Sequence, residues 1–165
     1  ELIQSGSSVS CGGSTTIEEI GLMEELAKRD DIKVWNPKVA DGARAMDEIA
    51  HKALGADVFL MGSNAITLDG ELVNVDGYGN RVSALIFGPK TVLIIAGQNK
   101  IADDVDAALE RIRTVAAPKT YMKVRPNADL PSDIVETSYG QIVITKRSMV
   151  PGRIKVILVA EDLGY

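Results

Sequence analysis

Apolar and polar positions along the chain fall into two kinds of run. Short apolar or alternating runs at Ser7–Cys11, Ile32–Trp35, Val58–Met61, Thr91–Ala96, Gln141–Lys146 and Ile154–Val159 predict strands. Val58–Met61 is continuously apolar, as expected where helices cover both sheet faces. Helical spacing predicts a helix from about Ile17 to Arg29, started by a capping box of Thr15 with Glu18 or Thr16 with Glu19. A second helix, capped by Asp41 and ended by Gly55, buries a stripe of Met46, Ile49, Ala50, Ala53 and Leu54. A third runs near Asn80–Phe87. A fourth, Asp103–Ala116, carries Val105, Ala108, Leu109, Ile112 and Ala116 on one face, with Asp103 and Asp104 in its first turn and Arg111 and Arg113 near its end. Leu68-Asp69-Gly70-Glu71 predicts a type I′ hairpin turn between Ala65–Leu68 and Glu71–Val75. Pro118–Tyr139 reads as a loop or flap with weak helix. Strand and helix alternate, so the fold class is α/β, a mostly parallel sheet flanked by helices. In such sheets ligands bind outside the carboxyl ends of the strands.

Composition narrows this picture. The 165 residues suffice for one domain, and the sequence starts at Glu1 rather than Met, so a missing or cleaved N-terminal segment is expected. Only 4% of residues are aromatic, so the core is built from Val, Ile, Leu and Ala. A net charge of −5 without a basic cluster argues against nucleic acid as a partner. No apolar run approaches the ~20 residues of a membrane span, and the residues given contain no signal peptide. Cys11 is the single cysteine, which excludes an internal disulfide and a zinc site built on several cysteines. A cytoplasmic protein with no metal and no resident cofactor is expected.

The polar chemistry concentrates in Gly62–Arg81, which follows the Val58–Met61 strand and holds four glycines, three asparagines, two aspartates, one serine and one arginine. Ser63, Asn64, Asn74, Asn80 and Arg81 are candidates for holding a small anion, with Gly62 letting the backbone approach. Some of the asparagines also suit left-handed turns. Arg81, beside a helix start where cations are disfavoured, makes sense facing an anionic ligand. Asp69 reads as a general base or, more simply, as the first half of an Asp-Gly turn. Gly12, Gly13, Ser14 and Thr15 either cradle an anion or form a tight turn plus a cap. They match neither a P-loop nor the G-x-G-x-x-G spacing. Lys100, after a buried strand, either neutralises a phosphate, carboxylate or enediolate or lies on the surface. His51 pairs with Asp47 on a solvated helix face, and Cys11 reads as a small buried thiol.

Several longer segments together resemble one known family. They are Gly-Gly-Ser-Thr-Thr-Ile-Glu-Glu-Ile-Gly from Gly12, Ala53–Thr67 with its Gly-Ser-Asn-Ala-Ile-Thr, Asp69–Val82 with its Gly-Asn-Arg-Val, Gly88-Pro89-Lys90, Gly97-Gln98-Asn99-Lys100, Arg111–Pro118, and Pro151-Gly152-Arg153 through Tyr165. The sequence is similar to the lactate-utilisation (LUD) domain family, the LutC/YkgG group. Relatives carry cysteines between the Ala-Ala-Pro segment and the late strands, where Lys119–Tyr139 has none. The resemblance implies a NagB/RpiA/CoA-transferase-like fold and a part in lactate oxidation beside iron–sulfur partner proteins. A homodimer is a further expectation. By position it implies Ser14 and Thr15 at one anionic end of a ligand, and Ser63, Asn64, Asp69, Asn80 and Lys100 at the other.

Three functions compete at this point. The first is a LUD-domain protein that binds a small anionic metabolite in lactate utilisation. The second is a stand-alone enzyme of sugar-phosphate isomerase or CoA-transferase type, with Asp69 or Glu71 as base or nucleophile and Lys100 as electrostatic stabiliser. The third is a structural partner without a ligand.

Overall fold

The computed structural model describes residues 2–165. Five strands, β1 (Ser8–Cys11), β2 (Lys33–Trp35), β3 (Val58–Met61), β6 (Thr91–Gly97) and β9 (Ile154–Val159), form a parallel sheet in the order β2-β1-β3-β6-β9. The chain moves outward from β1 to β2, then returns across β1 to β3, so the order reverses between β1 and β3. At such a reversal the connections leave on opposite faces and a crevice opens beyond the strand ends.

Side chains alternate across this sheet. Val58 and Leu60 pack on one face with Val9, Ile17, Met23 and Leu26. Phe59 and Met61 pack on the other with Ala84, Leu85, Val92 and Ile94. The α/β, mostly parallel architecture is the expected one. It has an addition that sequence spacing does not announce: β4 (Ala65–Thr67), β5 (Leu72–Asp76), β7 (Ile101–Ala102) and β8 (Gln141–Thr145) form a second, mixed sheet in the order β7-β4-β5-β8. Gln141–Thr145 thus closes the second sheet, antiparallel to β5, rather than joining the first.

Several local readings are corrected. The first helix is two, α1 (Thr15–Glu19) and α2 (Leu22–Ala27), because Gly21 turns left-handed at φ +62°. Ser14, not Thr15 or Thr16, caps α1 by accepting from the Ile17 N–H. At the β4–β5 hairpin only Gly70 has a positive φ, +83°, and its N–H closes on the Thr67 carbonyl. The loop is therefore a glycine-bulge turn and not type I′, which needs two such residues. Helix α5 (Val105–Arg111) does not stop before Pro118. A π-helical segment, Ile112–Ala116, resets the hydrogen-bond ladder, and α6 (Ala117–Val124) continues with Pro118 in its first turn, where no N–H is required. A short α7 (Ile134–Ser138) follows, so the stretch read as a flap is mostly helical. Asp104 caps α5 through the Ala107 N–H rather than lying inside its first turn.

Helix α3 (Gly42–Ala53) keeps its amphipathic pattern but not the expected burial. Ala53 is buried, while Met46 is 50% and Leu54 36% exposed. Helix α4 spans Asn80–Phe87 as expected.

The last residues fold back over the end of β6. Gly97 is the tightest point: a Cβ there would lie 2.4 Å from the Leu163 nitrogen and 2.6 Å from both the Glu161 oxygen and Asn99 Oδ1. Two of those three atoms are backbone and cannot swing away. Gly97→Ala is expected to destabilise by about 3 kcal/mol, lowering the melting temperature by roughly 6–12 °C. An unchanged thermal melt would mean that residues 161–163 are free to shift.

Candidate functional site

The crevice between β1 and β3 is a cavity of about 340 Å³. The segment after β1 lines it with Gly13, Ser14 and Thr15, and Glu18 from α1 adds to that wall. The segment after β3 supplies Gly62, Ser63 and Asn64. The end of β5 and the turn into α4 supply Asp76, Tyr78, Asn80 and Arg81. Thr120 and Lys123 of α6, with Tyr139 and Tyr165, close the remaining side. Both Gly-rich stretches therefore meet at one rim, which the strand order alone requires.

The floor is a hydrogen-bonded network centred on Arg81. Its Nη1 donates to Asn74 Oδ1 (2.8 Å) and the Gly62 carbonyl (3.4 Å). Its Nη2 donates to Asn64 Oδ1 (2.9 Å) and the Val75 carbonyl (2.6 Å). Nε lies 3.7 Å from Asp76 Oδ2. The expectation that Arg81 presents its charge to a ligand is thus corrected. Its Nη hydrogens are committed to protein oxygens, and it acts as a strut. Gly12 serves the same strut, since a Cβ there would sit 3.0 Å from Arg81 Cγ and 3.3 Å from Phe59 Cζ. Gly12 thus makes room for the arginine stem and does not line the cavity.

Asn74 is fully buried and off the cavity surface; its Oδ1 also accepts from the Asn64 N–H (3.2 Å) and Ser63 Oγ (3.4 Å). Asn64 Oδ1 accepts from the Val75 N–H as well (3.0 Å). Ser63 Oγ donates to the Ala65 carbonyl (2.8 Å). These side chains shape the loop more than they face its contents. Ser14, Thr15 and Asn80 line the cavity directly.

Asp69 stands apart. It is an exposed residue at the tip of the β4–β5 hairpin and does not line the cavity, nor does Glu71. The carboxylate brought to the site is Asp76, which sequence reasoning passed over. Its Oδ1 accepts from the Gly79 N–H (2.9 Å) and its Oδ2 from the Val82 N–H (3.2 Å), so it fixes the turn into α4. The signal for it was an acidic residue just ahead of a helix start. Glu18 is held by Lys123 (2.7 Å) and by Lys38, which keep its carboxyl below the ordinary range against the opposing effect of burial.

Lys100 is only 4% exposed. Its Nζ donates to Thr16 Oγ1 (2.8 Å). It approaches within 3.4 Å of where a Gly62 Cβ would stand, a point only 2.9 Å from Ser14 Oγ. Burial, then the fields of Arg111 and Arg81, push its pKa from the usual lysine value down to about 8. Arg111 donates to the carbonyls of Asn99 (2.8 Å) and Asn64 (2.5 Å). Among the described residues, neither Lys100 nor Arg111 has a carboxylate within ion-pair distance. Of the three cations Arg81, Lys100 and Arg111, Arg81 alone lies within ion-pair distance of Asp76, and Lys100 and Arg111 lie behind the crevice wall rather than on its surface. Arg111 had no candidate role in the sequence, because nothing local reveals that it reaches across to the β3 loop. The Tyr165 hydroxyl, at the cavity wall, is buried without a partner.

The two bland readings hold where they were made. Cys11 is buried, which drives its thiol up to about 11 and leaves it unreactive. His51 lies 74% exposed on α3, 3.5 Å from Asp47. No group of three or more His, Cys, Asp or Glu among the described residues is placed to hold a metal. No described helix is long and apolar enough to cross a membrane.

Comparison with known proteins places these observations. Ribose 5-phosphate isomerase from Plasmodium falciparum is 16% identical, with a TM-score of 0.38 over 72% of this chain. This chain covers 62% of that protein, less than two thirds of its length. A DUF162 family protein from Deinococcus radiodurans is 13% identical, with a TM-score of 0.40, covering 94% of this chain and 88% of the other. The tetrameric eIF2B beta2–delta2 complex from Chaetomium thermophilum is 14% identical, with a TM-score of 0.44, covering 95% of this chain and 51% of the other. No curated protein matches the sequence significantly. The model of the LUD domain matches residues 1–159, and the chain belongs to the LUD domain family.

Proposed function

We propose that this LUD-family chain binds a small organic anion in the β1–β3 crevice. We further propose that it does so in lactate utilisation, the oxidation of L-lactate to pyruvate, in the cytoplasm beside iron–sulfur partner proteins. The observation that carries the binding reading is the excess of buried positive charge around Lys100. A buried ammonium without a counter-ion is costly, and a bound carboxylate or phosphate would offset that cost. Ser14 Oγ and the neighbouring Gly62 backbone mark where the anion sits, with Lys100 behind it and Asn80 and the Tyr165 hydroxyl as further donors. The lactate setting rests on family membership.

A second reading, a stand-alone isomerase-like or CoA-transferase-like enzyme, draws on Lys100, whose pKa of about 8 suits acid–base work near neutral pH. It is the weaker reading because both cavity carboxylates are engaged: Asp76 by two backbone amides and Glu18 by two lysines.

The test is calorimetric titration with lactate, pyruvate, ribose 5-phosphate and CoA, each followed by an assay for conversion. Binding of an anion without turnover, lost in Gly62→Ala because the new methyl meets Ser14 Oγ, is the expected result. Turnover would establish the second reading. No binding to any of the four, together with stoichiometric capture of an iron–sulfur partner, would overturn both in favour of a structural role.

A further inference from the structure

A three-carbon acid has six non-hydrogen atoms and fills only part of a 340 Å³ crevice. Tyr78 and Asn80 line it on one side and line a second cavity, of about 500 Å³, on the other. That second cavity is a groove between α3 and α4, floored by Met46, Ala50 and Leu54 and edged by Ser83. It is where the apolar stripe of α3 fails to find a protein partner: Met46 is 50% and Leu54 36% exposed. Tyr78, at the junction, is 97% exposed, an aromatic ring held out between the two cavities by the turn that Asp76 fixes.

We propose that the ligand is bipartite. Its anionic head occupies the β1–β3 crevice, and a flat aromatic or heteroaromatic arm passes over Asn80, stacks on Tyr78 and lies in the α3–α4 groove. Apolar walls with a few polar groups at the edge are the usual lining for such an arm, and a stacked ring is stabilised beyond its buried area alone. The groove is assigned to the ligand rather than to a partner protein because it adjoins the anion crevice, with Tyr78 and Asn80 lining both. This inference rests on the anion-binding reading above.

The test compares matched pairs of probes that share a head and differ in a ring: lactate against 3-phenyllactate, and methyl phosphate against AMP. At least one ring-bearing member is expected to bind tenfold or more tightly than its partner. Met46→Glu, which touches only the groove, should erase that gain while leaving the affinity for the head alone unchanged. Tyr78→Ala should reduce the gain. Heads that bind equally well with and without a ring would overturn the bipartite ligand and leave the anion site standing. A ring gain that survives Met46→Glu would place the arm elsewhere and overturn it too. If neither head nor ring-bearing probes bind, both the inference and the reading beneath it fail.

Discussion

Arg81→Met is expected to destabilise the protein by about 3–5 kcal/mol, the cost of breaking a buried charge network by removing one partner. The substitution keeps the aliphatic stem that lies against Gly12 but removes every guanidinium hydrogen. Asn64 Oδ1 and the Val75 carbonyl each lose a short donor, at 2.9 and 2.6 Å, and Asp76 loses the one cation within ion-pair distance of it among the described residues. Each buried acceptor that loses a donor pays part of its desolvation cost again, although Asn64 Oδ1 keeps the Val75 N–H and Asn74 Oδ1 the Asn64 N–H. For a chain of this length the melting temperature should fall by roughly 10 °C or more. Arg81→Lys should recover only part of it, because an ammonium cannot span four acceptors that a planar fork reaches together. A thermal melt within about 2 °C of the parent would show that the network adds little to stability. The loss should also extend to the ligand, since Asn64 and Ser63 keep their positions through the same oxygens.

The strand–helix rhythm was legible because it depends on local periodicity. Val58–Met61, Asn80–Phe87 and Ile154–Val159 lie where apolar spacing places them. The meeting of Ser14 with Gly62 and Asn80 was also legible, since parallel strand ends share one edge. What spacing could not supply was direction. Arg81 was legible as unusual at a helix start, but not that its guanidinium turns back into sheet carbonyls. Asp69 looked chemical because Asp-Gly occurs both in turns and in sites, and only the fold shows it at an exposed tip. The roles of Asp76 and Arg111 at the site were not legible because their partners, the α4 amides and the Asn64 carbonyl, are set by tertiary packing. The α3 stripe was read correctly as amphipathic, yet amphipathicity says nothing about whether the partner surface belongs to the same molecule. The stretch from Pro118 reads as irregular because its prolines break local periodicity, whereas α6 takes Pro118 into its first turn, where no N–H is required.

Lys100→Met should separate stability from binding and push them in opposite directions. In the folded protein the Lys100 pKa is about 8, against 10.5 for an unperturbed lysine. Below pH 8 the group is protonated in both folded and unfolded chains, and the full cost of burying the charge is present. Between about 8 and 10.5 the unfolded chain holds more protons, so stability rises with pH across that window. The shift corresponds to roughly 3 kcal/mol at 1.36 kcal/mol per pKa unit. Met replaces the amine at similar volume, so at pH 7 the variant should be more stable than the parent by up to ~3 kcal/mol. The advantage should shrink as pH climbs past 8 and the parent sheds its proton. Anion binding should move the other way. A carboxylate ~5 Å from the ammonium gains on the order of 3 kcal/mol at an effective dielectric of ~20, so Lys100→Met should weaken anion binding about 100-fold. The parent's own affinity should hold below pH 7 and decline above pH 8 as the ammonium is lost. Thermal melts of both proteins from pH 6 to 10, with calorimetry on the parent across the same range, read all of these at once. A variant that is more stable yet binds anions undiminished would transfer the counter-charge role from Lys100 to Arg111, a half-buried cation that also has no carboxylate within ion-pair distance among the described residues.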